Sequence, residues 1–264
     1  MLINTVILFL RDLLPLFILF CYLKLVHPYI FKKYNYLLIT LIAGVLFSFY
    51  YFSIAMFVSE LFEGAGNEIL TVVLLILGYT CFVSSTLLAS SSKKASSLVL
   101  TLLFIGINSI IAVKGSAFLI FLDVYLQQSV NWLNLLTGFV IGLGICISFA
   151  SLFLFILKEL NHVNQLKLIP IFWYLFLAGQ VIKIMPYLSQ VDLLPFGGSI
   201  IDLSYLVKDS SEYGHILNAL FGYEASPSLT FLILYCLAFF LPVLGSFLIS
   251  SKTEKRVPEE ALNE

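Results

Sequence analysis

Residues 6–24, VILFLRDLLPLFILFCYLK, form an apolar run with Arg11, Asp12 and Pro15 set into it. The run is about as long as a helix must be to cross the hydrocarbon core of a bilayer. Each charge inside such a segment costs about 2.5–3.5 kcal/mol on insertion scales, so two side by side mark a structural or functional demand. One residue apart on an α-helix they point about 100° apart, which predicts a further partner for each beyond any mutual neutralisation. Pro15 carries no amide for the Arg11 carbonyl, so that oxygen is left free or the helix kinks. Two readings of the pair stand: residues that snorkel to an interface or form one structural ion pair, or part of a functional site inside the membrane.

The rest of the chain extends this pattern. Its 264 residues are 61% hydrophobic and only 11% charged, where a soluble domain would carry about a quarter. The composition predicts an all-α, polytopic membrane protein whose first partner is the lipid bilayer. A net charge of −1 argues against nucleic acid. Cys21, Cys81, Cys146 and Cys236 all fall within apolar runs and make no CxxC, which suits small core residues better than a disulfide frame or a metal site. The first run holds an acid and lacks a basic leader, so it is read as a span and not as a cleavable signal.

Seven transmembrane helices are predicted, over about 4–24, 35–58, 66–90, 96–122, 133–157, 168–187 and 228–249. They define a membrane domain over 1–249, with a long outer loop at 190–227, and a polar tail at 250–264 expected to fray. Lysines and arginine follow the odd-numbered spans: Lys24, Lys32 and Lys33; Lys93 and Lys94; Lys158 and Lys167; Lys252, Lys255 and Arg256. The alternate loops hold Glu60, Glu63 and Glu68, then Asp123, then Asp192, Asp202, Asp209, Glu212 and Glu224, with Lys183 and Lys208 as the only cations leaning outward. The positive-inside rule then puts the N-terminus outside and the C-terminus in the cytoplasm. Three spans per half predict an inverted 3+3 repeat plus a seventh helix, a plan that sets a transporter's site near the midplane.

Within the outer loop, YGHILNALFGY (213–223) has apolar residues at helical spacing. It either lies along the interface or caps the bundle, with Gly222 ending its last turn. The acidic excess there either draws cations or only keeps the loop soluble. His27, His162 and His215 are scattered over both sides, so no shared metal site is expected, and no nucleophile–base set, phosphate loop or haem motif is visible. An enzyme is not expected.

Several stretches resemble the oxidase-dependent iron permease family. LFGYEASPSL (220–229) is similar to the segment leading into that family's last span, and SELFEG (59–64) to the acidic turn opening its third. AGQVIKIMPYLSQVDLLP (178–195) and IIDLSYL (200–206) resemble its sixth span and the loop beyond. The resemblance implies inward iron transport across the cytoplasmic (inner) membrane through Arg-Glu-x-x-Glu motifs in the first and fourth spans. Two carboxylates at i and i+3 share a helix face and offer hard oxygens to a hard cation. Here the first motif reads RDLLP, with Pro15 where the second Glu should stand. The fourth-span counterpart aligns with VKGSA (113–117), with Lys114 at one acid position and Ala117 at another. Pro186 and Tyr187 occupy the place of a His-Glu pair in the sixth.

A cation path through Arg11, Asp12, Glu60, Glu63 and Lys114 follows, with Asp12, Glu60 and Glu63 as the metal ligands. Glu60 and Glu63 share a face if their turn is helical, or they complement the macrodipole of the third span. Lys114 is either an internal counter-charge to Asp12 or Asp123, or a snorkelling residue near the outer end of its span. The resemblance adds iron or another cation as cargo, no resident cofactor, and an extracytoplasmic oxidase or iron-delivery protein as partner. The competing reading is a scaffold or accessory subunit that kept the fold and lost the ion site.

Overall fold

A computed structural model describes residues 6–260, apart from 8, 92–95, 128–131, 164–167 and 195–197. The expectations for Lys93, Lys94 and Lys167, and for the ends of the chain, lie outside the described residues. The fold is all-helical. A π-helical turn, Phe9–Leu13, leads into α1 (Leu14–Val26) and a short α2 (Pro28–Lys32). Then come α3 (Tyr34–Ser59), a 3-10 turn (Leu61–Gly64), α4 (Gly66–Ser91), α5 (Ser97–Gln127) and α6 (Trp132–Val163). The chain continues through α7 (Leu168–Val181), α8 (Ile184–Gln190), α9 (Glu212–Phe221) and α10 (Leu229–Glu260). Residues from 250 to Glu260 continue α10 as helix.

Six helices among the described residues are long and apolar enough to cross a membrane: Tyr34–Ser59, Gly66–Ala89, Ser97–Tyr125, Leu135–Leu160, Leu168–Gln190 and Leu229–Ile249. The distribution of side chains makes the same point independently. On α3 the buried residues are Thr40, Gly44, Ser48 and Tyr51, while Ile39, Ile42, Val45, Leu46 and Phe49 are exposed. Small and polar groups inside with large apolar groups outside is the reverse of a water-soluble helix, and it is the pattern that lipid selects.

Two proline positions decide where helices break. Pro15 cannot donate to the carbonyl four residues back, and its ring crowds that carbonyl. The carbonyl belongs to Arg11, and the chain runs as a wider π turn through Phe9–Leu13 before α1 starts with Pro15 in its first turn. Pro186 has the same relation to Ile182, and there the sixth predicted span divides into α7 and α8, with Ile182 and Lys183 in a turn between them. The Met185 amide closes the break by bonding the Ile182 carbonyl at 3.0 Å.

α5 lies between α3 and α4 and packs along both. At the α3–α5 seam a Cβ on Gly115 would collide with Ser48, and one on Gly44 would meet Ile111 at 2.9 Å. The Ser48 hydroxyl bonds the Gly44 and Ile111 carbonyls, both at 2.9 Å. Small residues and an interhelical hydrogen bond hold the seam, as expected where lipid removes the hydrophobic drive between helices. Elsewhere an aromatic cluster joins α1, α4, α6 and α7. Tyr22 packs on Phe153, Trp173 and Phe176 with ring centroids 5.2–5.8 Å apart, and Trp173 meets Phe82 edge-on at 5.5 Å. The Trp173 indole donates to the Thr86 hydroxyl at 3.1 Å. Cys21, Cys81 and Cys146 are buried in this framework, whereas Cys236 is exposed.

α9 caps the bundle. The Ser211 hydroxyl accepts from the Gly214 amide at 3.0 Å to start it, and Gly222 ends it in the left-handed region at φ 69°. Its C-terminal turn presses on Gly179 of α7, where a Cβ would strike the Phe221 backbone. Tyr235 of α10 donates to the Phe221 carbonyl at 2.8 Å. These contacts place 213–223 over the helices and not free along an interface.

Candidate functional site

The two proline-linked breaks bring charge into the bundle. Asp12 in the π turn is 4% exposed. Its carboxylate is gripped by its neighbour: Arg11 Nη2 donates to Oδ2 at 2.9 Å and Nε to Oδ1 at 3.2 Å. Adjacent residues on a regular α-helix were expected to seek separate partners. The wider π turn and the reach of arginine let them meet instead. The pair is lopsided, since the Arg11 side chain is 59% exposed and that of Asp12 is 5%.

Two half-buried lysines come from the helices around the pair. Lys114 stands on α5 with roughly 20 Å of helix between it and Gln127, and no described residue pairs with it at salt-bridge distance. Lys183 lies in the α7–α8 break. Its Nζ donates to Gln180 Oε1 at 3.3 Å, and buried Gln180 donates in turn to the Ala219 carbonyl of α9 at 3.2 Å. The break is thereby tied to the cap.

A second polar layer lies where α8 packs on α4, with Tyr187 of α8 half-buried. The Tyr51 hydroxyl meets the Thr71 hydroxyl at 2.9 Å and donates to the Asn67 carbonyl at 3.2 Å. Asn67 Nδ2 donates to the Ala55 carbonyl at 3.0 Å, which locks the end of α3 to the start of α4. Glu68 Oε2 is buried and has no hydrogen-bond partner among the described residues.

The structure thus pairs Arg11 with Asp12, while Glu60 and Glu63 sit at the turn between α3 and α4. Both glutamates are exposed. Their turn has left-handed backbone at Phe62 (φ 52°) and Glu63 (φ 59°), so the shared helical face on which a ligand pair depended does not form. Among the described residues no group of three His, Cys, Asp or Glu is placed to hold a metal ion, so Asp12, Glu60 and Glu63 are not gathered as a ligand set. His27 is buried at one end of α1, while His215 lies on α9 at the other.

Lys183, Gln180, Tyr187 and Glu68 escaped the sequence reading of the site. Pro186 was the available signal, because it marks a break beside Lys183 by the rule that made Pro15 informative beside Arg11. Comparison of the chain with protein-family models, with curated proteins and with solved structures finds no match.

Proposed function

We propose that the chain is a permease-type transporter of the cytoplasmic membrane, and that the Arg11–Asp12, Lys114 and Lys183 centre is its solute path. In this reading the π turn and α1 make a seventh span, the N-terminus is outside, and the two halves are inverted repeats. The observation that carries it is the placing of ionisable groups at two helix breaks, the enclosed Asp12 with its partner Arg11 before Pro15 and the half-buried Lys183 before Pro186. Unwound or discontinuous helices bearing ionisable groups are how transporters build a site inside lipid. The sequence resemblance supports the permease class and makes iron the first cargo to try.

Flux into proteoliposomes containing the purified protein tests this reading. Asp12→Asn and Lys183→Gln should each slow uptake about tenfold or more, equivalent to about 1.4 kcal/mol. Absence of uptake for iron and for common inorganic ions overturns it. A scaffold role is the second reading, favoured by the grip of Arg11 on Asp12, which leaves the buried carboxylate already paired. That role predicts a stoichiometric partner that co-purifies and no flux.

A further inference from the structure

We propose that the groove between α1 and α6 binds one anionic phospholipid, with an acyl chain along the groove and the headgroup phosphate at Lys24. The groove holds about 230 Å³. Phe17, Phe20 and Lys24 of α1 line one side and Ser151 and Leu154 of α6 the other, with Phe31 of α2 completing the wall. The Cys21 thiol joins the two helices by donating to the Ala150 carbonyl at 3.4 Å, and both of those residues also line the groove. Small side chains where α1 meets α6, with large apolar ones beside them, leave a furrow. It opens on a face that α6 turns to lipid, since Leu152, Phe155 and Ile156 are exposed. An apolar furrow there forfeits packing unless it is filled, and in a bilayer the filler at hand is an acyl chain.

Charge at one end of the groove selects the lipid. Phe17, Phe20 and Lys24 stand at i, i+3 and i+7, so this face of α1 passes from aromatic to cationic within about one turn. Ser151, Leu154 and Lys158 repeat the spacing on α6. Cys21 meets Ala150 and Tyr22 meets Phe153, so residue number rises the same way along both helices and the two lysines stand at the same end. Lys32 and Lys33 follow Phe31, and all four lysines are exposed. None of them makes an ion pair among the described residues.

Acids do not offset this cluster from within. α1, α2 and α6 carry a single carboxylate, Glu159, and about 100° of helix rotation sets it off the face of Ser151, Leu154 and Lys158. Lys24 lines the groove and yet is exposed, the posture in which a lysine covers apolar surface with its stem and carries its ammonium to headgroup level. There it donates to phosphate oxygens. A zwitterionic lipid brings its own cation to the four lysines, whereas an anionic headgroup does not, and basic pockets between spanning helices favour the anionic kind. The site does not depend on transport.

The test uses the purified full-length chain in detergent, with phosphatidylglycerol and phosphatidylcholine of matched acyl chains as probes. Native mass spectrometry counts the lipids retained, and thermal unfolding follows each titration. One phosphatidylglycerol should be held about fivefold more tightly than phosphatidylcholine, equivalent to about 1 kcal/mol, the contribution of one lysine near an anionic surface. Lys24→Gln should abolish that preference and leave phosphatidylcholine binding as it was, and Lys24→Arg should keep it. Ser151→Phe fills the groove and should remove the retained lipid of either kind. Lys24 and Ser151 are both exposed, and the lipid-free Tm of each variant reports folding. Lys208→Gln, in the loop before α9, is the control and should change nothing. Equal affinity for the two lipids overturns the proposal, as does a preference that survives Lys24→Gln. Retention of several phosphatidylglycerols that Ser151→Phe leaves untouched overturns it too, because that is attraction to a charged surface and not occupancy of the groove.

Discussion

The Arg11 guanidinium closes on the carboxylate of its own chain neighbour, Asp12, with Nη2 2.9 Å from Oδ2 and Nε 3.2 Å from Oδ1. The two partners live in different surroundings, because most of the arginine head is accessible and the carboxylate is almost wholly enclosed. The pair therefore satisfies a buried acid from the outside.

Breaking it should be asymmetric. Arg11→Ala leaves an enclosed carboxylate without its hydrogen-bond donors, a loss of about 1–3 kcal/mol for a buried acceptor left unsatisfied. Asp12→Asn leaves an accessible guanidinium that turns to water or headgroups, and it costs less. The double variant Arg11→Ala, Asp12→Asn should recover stability relative to Arg11→Ala alone. Denaturant unfolding in detergent, read as a double-mutant cycle, measures this; equal losses for the two single variants would contradict the assigned burial.

The α3–α5 seam makes a second prediction. A side chain at Gly115 must displace Ser48 and with it the hydroxyl bond to the Ile111 carbonyl. Gly115→Ala should destabilise by about 1–3 kcal/mol, the usual cost of overpacking. Gly144 on α6 is the control, since nothing lies within 4 Å of a Cβ built there. Gly144→Ala should be neutral or stabilising by up to about 1 kcal/mol, from helix propensity alone. A Gly115→Ala protein as stable as Gly144→Ala would mean that the two helices do not approach as described.

What the sequence disclosed follows from how local each signal is. Long apolar runs announce lipid-embedded helices without reference to neighbours, and 213–223 carried its own helical spacing and its terminating Gly222. Pro15 beside Arg11 and Asp12 marked a break with charge in it. The Arg11–Asp12 ion pair is one of the two readings the sequence allows; the further partner expected for each rests on 100° per residue, which assumes a regular α-helix, and the proline that raises suspicion also removes that regularity. Glu60 and Glu63 failed for a related reason: i and i+3 share a face only on a helix, and left-handed residues at Phe62 and Glu63 cancel the premise. Lys183 was counted as a loop-side charge by its position along the chain. Its place in the α7–α8 break, tied to Gln180 and through it to the cap, arises from packing between α7 and α9, and no one-dimensional spacing encodes that.

The cap supplies a third prediction. Gly179 and Gly222 face each other so closely that a Cβ on either would meet the other's backbone, and Gly222 also has positive φ. Gly179→Ala should lift α9 from α7 and loosen the Gln180 link that steadies Lys183. Hydrogen exchange at 212–222 should accelerate while exchange in α5 stays unchanged. Uniform acceleration through the bundle would show that α9 is part of the core and not a separable cap.

His27 makes the pH-dependent case. It lies just past the end of α1, fully buried, with Nδ1 3.0 Å from the Tyr29 hydroxyl and with Nε2 unpartnered among the described residues. Burial pushes its pKa down from 6.5 to about 4, so the folded protein holds the ring neutral. Above pH 6.5 the ring is neutral folded or unfolded, and it contributes nothing to pH dependence. Between pH 6.5 and 4 the unfolded chain takes a proton that the folded protein refuses, so stability falls as the solution is acidified. The gap corresponds to about 3 kcal/mol once pH is below both values. His27→Asn keeps an acceptor for Tyr29 and removes the titrating group. The wild type should therefore lose more stability than His27→Asn between pH 7 and 4, with the two curves parallel above pH 7. Parallel curves across the whole range would show that the imidazole reaches water or finds an acid when it is protonated.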